Sequence, residues 1–164
     1  MSIDEALFRQ VAGSFASGVT VITTGSEGSF RGMTASAFSS LSLDPTLVLV
    51  CIDRSTETLA AIQASGRFNV NILSAEQEHL SRTFAAKETP QAHGLTVVDH
   101  RIGASGVPLI NGSLAYFECR VVEQYGGGDH VIFVGEVESA GLGGSEDPLT
   151  YFRGKYRRLA PLPT

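Results

Sequence analysis

The chain opens on a helical pattern. Leu7, Val11 and Phe15, with Phe8 beside them, recur at helical spacing behind a Ser2-x-x-Glu5 capping-box signature, which predicts a first helix over residues 4–15 ended by Gly18. Residues 19–24 (Val-Thr-Val-Ile-Thr-Thr) are β-branched throughout, the pattern of a buried strand, and residues 25–29 supply a turn. From 31 to 43 the residues are small or hydroxylated until Phe38 and Leu41, a strand with one face bare of bulk. Residues 47–52 are continuously apolar, as a central strand covered on both faces would be. The period changes at Ser55, where Leu59, Ala60 and Ile62 predict a helix closed by Gly66. Phe68, Val70 and Ile72 then alternate with Asn69 and Asn71, predicting a half-buried strand, and Ser74-x-x-Gln77 opens another helix carrying Leu80 and Phe84.

Residues 85–95 are polar and contain Pro90 and Gly94, which predicts a mobile loop. Strand patterns resume over 96–98 and 113–125, where Phe117, Cys119 and Val121 alternate with Glu118 and Arg120. Residues 131–137 complete a hairpin with that segment across the turn Gly126-Gly127-Gly128-Asp129-His130. The sum is about seven strands and three short helices, mostly strand next to strand, which predicts a mainly β fold: an antiparallel barrel with peripheral helices. The length of 164 residues suits one domain over 1–164.

Composition narrows the function classes. Twelve Lys and Arg against 17 Asp and Glu leave a formal charge of −5, which argues against a nucleic-acid surface; an anionic ligand must be held by local donors. Cys51 and Cys119 lie in apolar runs without a redox spacing, and His79, His93, His100 and His130 stand far apart without metal-ligand spacing, so no metal site is expected. Signal-peptide and membrane-span patterns, the nucleophile elbow, the P-loop and the dinucleotide fingerprint are all missing from the sequence, which points to a cytoplasmic protein outside the common nucleotide folds.

Four places can carry chemistry. The Gly-Asp-His turn holds an acid and an imidazole where a glycine turn meets a strand, either as a ligand contact or as a solvated hairpin. Gly32, Met33, Thr34, Ala35 and Ser36, followed by Ser39 and Ser40, expose backbone N–H groups to a planar ligand, or else serve close strand packing. At Asp53, Arg54, Ser55, Thr56 and Thr58 a strand end becomes a helix start, so free N–H groups, three hydroxyls and a guanidinium converge as they would on a phosphate; N-capping by Ser55 accounts for one hydroxyl only. Finally, Arg153, Lys155, Arg157 and Arg158 interleave with Tyr151, Phe152 and Tyr156, a segment that can stack on a base or merely solvate itself.

In this order the pieces resemble the flavin reductase-like family, the reductase components of two-component flavin-dependent monooxygenases. The resemblance runs from residues 15–23 (Phe-Ala-Ser-Gly-Val-Thr-Val-Ile-Thr) to 151–156 (Tyr-Phe-Arg-Gly-Lys-Tyr) and is most telling at 32–45, at 68–73 and at Gly128-Asp129-His130. It implies a Greek-key split β-barrel of the FMN-binding type, a homodimer with FMN or FAD near the subunit interface. NADH, or NADPH, would deliver hydride to the flavin, and the reduced flavin would leave for a monooxygenase acting on an aromatic or steroid-derived substrate. By the same resemblance residues 32–36, Ser39 and Ser40 would line the flavin, and Cys51, Ile52, Asp53, Arg54, Ser55, Thr56 and Thr58 would hold its ring edge and phosphate. Phe84 would neighbour the ring, His130 with Asp129 would orient the nicotinamide, and Tyr151, Phe152, Arg153 and Gly154 would seat its nucleotide. Thr46 departs from the pattern, which often has a second proline after Asp44-Pro45. Two rivals use the same barrel: an oxidase of a phosphorylated pyridine cofactor, and a non-catalytic flavin- or haem-binding carrier or sensor.

Overall fold

The structure, a computed structural model, describes residues 2–86, 95–145 and 147–163. Along the chain run α1 (Glu5–Ala12), β1 (Ser17–Gly18), β2 (Thr20–Thr24), β3 (Arg31–Ala35), β4 (Phe38–Leu43), β5 (Thr46–Asp53), α2 (Glu57–Ser65) and β6 (Arg67–Ile72). A 3₁₀ turn (Ala75–Gln77) leads into α3 (Glu78–Ala85), followed by β7 (His100–Ile102), β8 (Pro108–Ile110), β9 (Ala115–Gly127), β10 (His130–Leu142), β11 (Thr150–Phe152) and β12 (Lys155–Arg157). The main sheet has seven strands in the order β3-β2-β6-β9-β10-β5-β4, all antiparallel; β1-β11-β12 and β7-β8 form smaller sheets.

The stretch from 31 to 43 is two strands, β3 and β4, placed on opposite edges of that sheet with only Ser36 and Ala37 between them. Laid flat, seven strands would separate the edges by roughly 29 Å, whereas the three Cα steps from Ala35 to Phe38 reach about 11 Å at most. The sheet therefore rolls. β3 comes to pack against β5, and the Cys51 N–H donates to the Ala37 carbonyl at 3.0 Å. The outcome is a split barrel in which the two edges meet without a ladder between them, a mainly β fold as the strand pattern predicts.

The roll encloses one core of Ile22, Val48, Val50, Ile52, Ile62, Phe68, Val70, Cys119 and Phe133. A second core, with Val19, Val21, Leu73, Leu80, Phe84 and Leu149, lies on the outer face. β2 is buried along its whole length because it separates the two, and its threonines meet the burial by donating to backbone carbonyls: Thr20 to Ala35, Thr23 to Pro108 and Thr24 to Arg67, each at 2.6 Å. Burial pushes the Cys119 thiol up to about 12, with the Glu138 and Glu118 charges adding to the effect.

Several local expectations are corrected. Asn69 and Asn71 are fully buried rather than lining a wet face, because the β7–β8 segment covers them. Asn69 donates to the Val107 and Pro108 carbonyls, Asn71 donates to the Val21 carbonyl at 3.0 Å, and the Ile110 N–H donates to Asn71 Oδ1 at 2.8 Å. β5 is second from the edge, not central: Val48, Val50 and Ile52 face the core while Leu47, Leu49 and Cys51 are half-buried. α1 is capped by Asp4, whose side chain accepts the Leu7 N–H at 3.0 Å, and it ends at Gly13, leaving Phe15 outside. Residues 95–97 are helical, not extended, and Gly126 and Gly127 belong to β9 rather than to the turn. The loop predicted over 85–95 lies largely outside the described residues, including Pro90, His93 and Gly94. Among the described residues, no helix is long and apolar enough to cross a membrane.

Replacing Asn71 by Ala strips the Ile110 N–H of its buried acceptor and is expected to cost about 2–3 kcal/mol in equilibrium urea unfolding. A loss under about 0.5 kcal/mol, the level of a neutral surface change, would contradict the bracing role.

Candidate functional site

β5 ends in a tight turn built by its own polar side chains. Asp53 Oδ1 accepts both the Ser55 N–H and the Ser55 hydroxyl at 2.8 Å, and the Thr56 hydroxyl donates to the Asp53 carbonyl at 2.8 Å. Thr56, not Ser55, is the N-cap of α2, through a long 3.4 Å contact from the Leu59 N–H. Thr58 is the second residue of α2 and is fully buried; with the Ser55 and Thr56 hydroxyls donating to Asp53, the three hydroxyls do not converge on an exposed site as the sequence pattern predicts.

Arg54 ties this corner to a second one. Its backbone N–H donates to the Asp129 carbonyl and its side-chain Nε to the Gly128 carbonyl, both at 2.9 Å. Strand register gives the reason: His130 pairs with Asp53 on β5 and with Gly127 on β9, so Gly128-Asp129 is a two-residue hairpin loop held against the β5 exit. Gly128 takes φ +67°, which a side chain would strain. Residues 53–55 and 128–130 thus form one surface feature. Within it His130 Nδ1 lies 2.7 Å from Asp129 Oδ1, a pairing that holds the Asp129 carboxyl below its ordinary range. His130 is about half-exposed, with Nε2 making no hydrogen bond among the described residues.

The small-residue stretch divides in two. Gly32 and Ala35 serve packing: a Cβ on Gly32 would sit 2.7 Å from the Phe84 ring, and Phe84 itself belongs to the second core. Met33 packs on the first core, and the Thr34 hydroxyl donates to the Ser81 carbonyl at 2.6 Å. Ser36, Ser39 and Ser40 are exposed. Because Cys51 bonds Ala37, and Ser39 and Ser40 pair with Leu49 and Val48, these hydroxyls run alongside the strand that ends at the Arg54 corner, with Cys51 half-buried and Ile52 turned into the core.

The C-terminal segment is the β11–β12 hairpin. Arg153 at φ +48° and Gly154 at φ +75° form its turn, an uncommon conformation for an arginine, and the Arg153 guanidinium lies 5.1 Å from the Phe152 ring centre. The hairpin bounds three clefts among the described residues, one of them against Glu78 and Arg82 of α3. A second, of about 190 Å³, is lined by Val19, Thr34, Ser36, Ser81, Ala85, Tyr151 and Tyr156; a third, of about 440 Å³, lies between the Arg153-Gly154 turn and Arg9, Gln10 and Ser14 near α1. Ser36 is thereby shared between the small-residue strip and the Tyr151 wall. Of the lining residues, the sequence pattern missed Ser81 and Ala85, which look like ordinary helix positions. It also left Tyr156 without a role, although it falls in the flagged aromatic and basic segment.

A family model described as the flavin reductase like domain matches residues 12–160. The chain belongs to the flavin reductase like family. It is 40% identical over 164 residues to the flavin-dependent monooxygenase reductase subunit HsaB of Mycobacterium tuberculosis, covering 99% of this chain and 86% of that one. It is 40% identical over 159 residues to the reductase component of 4-nitrophenol 4-monooxygenase/4-nitrocatechol 2-monooxygenase from Rhodococcus opacus, covering 97% and 83%. Among solved structures, the Streptomyces globisporus NADH:FAD oxidoreductase SgcE6, in complex with NAD and FAD fragments, superposes with a TM-score of 0.89 at 40% identity, covering 96% of this chain and 94% of that one.

The residues present fit a flavin. Ser36, Ser39 and Ser40 are exposed small residues that leave the backbone open, the Ser39 hydroxyl donating to the Ser40 carbonyl at 2.9 Å, and the α2 start adds helix-end N–H groups and the terminal nitrogens of Arg54.

A depressed carboxyl stabilises the folded state above the ordinary aspartate value, and that contribution is lost as pH falls through the lowered one. Carboxyl-carbon NMR titration should place the Asp129 midpoint below the 3.8 of a free aspartate, and His130→Ala should return it there. An ordinary midpoint in the unsubstituted protein would break the pairing.

Proposed function

We propose that this protein is an NADH-dependent flavin reductase that transfers hydride to FMN or FAD and supplies the reduced flavin to a separate monooxygenase. The observation that carries the reading is the joining of the β5 exit to the Gly128-Asp129-His130 turn by the two Arg54 bonds. The N–H groups of the α2 start and a half-exposed imidazole then share one corner.

When bound, the flavin supplies the hydride-accepting chemistry, so the chain needs neither nucleophile nor metal. Its residues bind and orient. Ser36, Ser39 and Ser40 present hydroxyls to the ring and ribityl side, while Arg54 and the α2 N–H groups meet the phosphate. Asp129 accepts from His130 Nδ1–H, which fixes the ring's orientation and leaves Nε2 to accept from a nicotinamide carboxamide. Tyr151, in the cleft that Ser36 also lines, and the Arg153-Gly154 turn, in the cleft beside α1, seat the nucleotide. FMN and FAD both suit one phosphate anchor, and NADPH is the alternative donor.

A homodimer belongs to the same proposal. Among the described residues none of α1 is buried, and Leu7, Phe8 and Val11 are exposed, with Phe15 just beyond, an apolar stripe that a second copy would cover. Two free thiols accord with a cytoplasmic setting. Aromatic or steroid-ring oxygenation is the reaction class proposed for the partner, in keeping with the nitrophenol monooxygenase relative.

Mixed anaerobically with excess NADH and flavin, the protein should bleach the flavin through many turnovers. His130→Ala should raise the KM for NADH or slow reduction by roughly 10-fold or more, the scale of a lost positioning contact. A single turnover or none would favour a flavin carrier, and unchanged kinetics in the variant would remove His130 from the site.

A further inference from the structure

Tyr156 has no part in the ligand contacts assigned above, yet it ties the C-terminal hairpin to α3. It pairs with Tyr151 across β11 and β12, and the two rings meet edge-on at 5.2 Å and 64°. Its hydroxyl lies 2.8 Å from the Ser81 hydroxyl on α3, and the Arg82 guanidinium covers its ring at 4.8 Å. Ser81 is itself almost fully buried, and its carbonyl accepts the Thr34 hydroxyl at 2.6 Å. A continuous path therefore runs Thr34, Ser81, Tyr156, Tyr151, from the β3 wall of the 190 Å³ cleft to its opposite wall, and all four residues line that cleft.

β12 is the edge strand of its small sheet. Pairing with β1 anchors β11, while the hydroxyl pair braces the free β12 edge against α3, and the exposed Tyr151 ring rests on the Tyr156 ring so held. We infer that Tyr156 is a positioning residue for the nicotinamide nucleotide: its bond to Ser81 sets the cleft width at which Tyr151 meets the dinucleotide, without itself touching the reacting atoms. The inference rests on the flavin reductase reading.

Tyr156→Phe keeps the ring, the Tyr151 edge contact and the Arg82 cover, and deletes only the hydroxyl. Its KM for NADH should rise roughly 3- to 10-fold, the scale of one net hydrogen bond, with kcat within about twofold and the flavin dissociation constant unchanged. Calorimetry with NAD⁺ on flavin-free protein should show the same factor in affinity. Ser81→Ala should reproduce the effect, and the double variant should be no worse than either single one, because both remove the same bond. Thermal unfolding of each variant identifies any loss of fold. An unchanged KM and NAD⁺ affinity in Tyr156→Phe overturns the inference, as do additive effects in the double variant, or parallel losses of kcat, flavin affinity and melting temperature. If the unsubstituted protein itself reduces no flavin, the parent reading fails and this one with it; if it turns over normally and Tyr156→Phe matches it, this one fails alone.

Discussion

A two-residue link governs this molecule. Strands β3 and β4 occupy opposite edges of a seven-stranded sheet, and Ser36-Ala37 is too short to cross a flat one. Rolling is therefore forced by connectivity, and twist sets its direction. The roll encloses the Phe68 and Phe133 core, brings β3 against β5, and turns the exposed hydroxyls of Ser36, Ser39 and Ser40 toward the strand that ends at Arg54. Small residues at this bend do two jobs: Gly32 admits Phe84, and the serines leave a strip open.

Arg54 carries the geometry from the bend to the chemistry. In a chain of net charge −5, a guanidinium beside a helix start looks like an anion ligand. The structure gives its Nε a prior task, bonding the Gly128 carbonyl, so that the side chain braces the hairpin turn and has only its terminal nitrogens left for a ligand. One residue thus links the place proposed for a phosphate to the place proposed for a nicotinamide, which lie more than 70 positions apart in the chain.

Much of the architecture was legible in the alternation of apolar and polar positions, because burial in a rolled antiparallel sheet writes itself into that period. The failures have physical causes. Asn69 and Asn71 look like a wet strand face since nothing local reveals that residues 100–110 fold over them and supply backbone partners. Ser55 looks like the helix cap because an Asx turn and an N-cap draw on the same residue types, and the structure uses Asp53 for one and Thr56 for the other. The α1 stripe predicts a covered face, but among the described residues nothing buries it. At the site, Gly128-Asp129-His130 and 53–58 were visible as separate signals; their contact through Arg54 was not, since register across β5 and β10 decides it. Tyr156 escaped for the same reason: its hydroxyl partner lies on α3, far off in sequence.

What the proposed function leaves for the protein to do chemically is narrow: hold two planar rings in contact and let the cofactors exchange hydride. Anaerobic single-turnover mixing of the flavin-loaded protein with NADH stereospecifically deuterated at nicotinamide C4 tests this most directly. Direct transfer between rings in fixed contact requires that flavin absorbance be lost with a primary isotope effect for one C4 face and none for the other. Reduction that is indifferent to deuterium on either face, or no reduction at all, would contradict it.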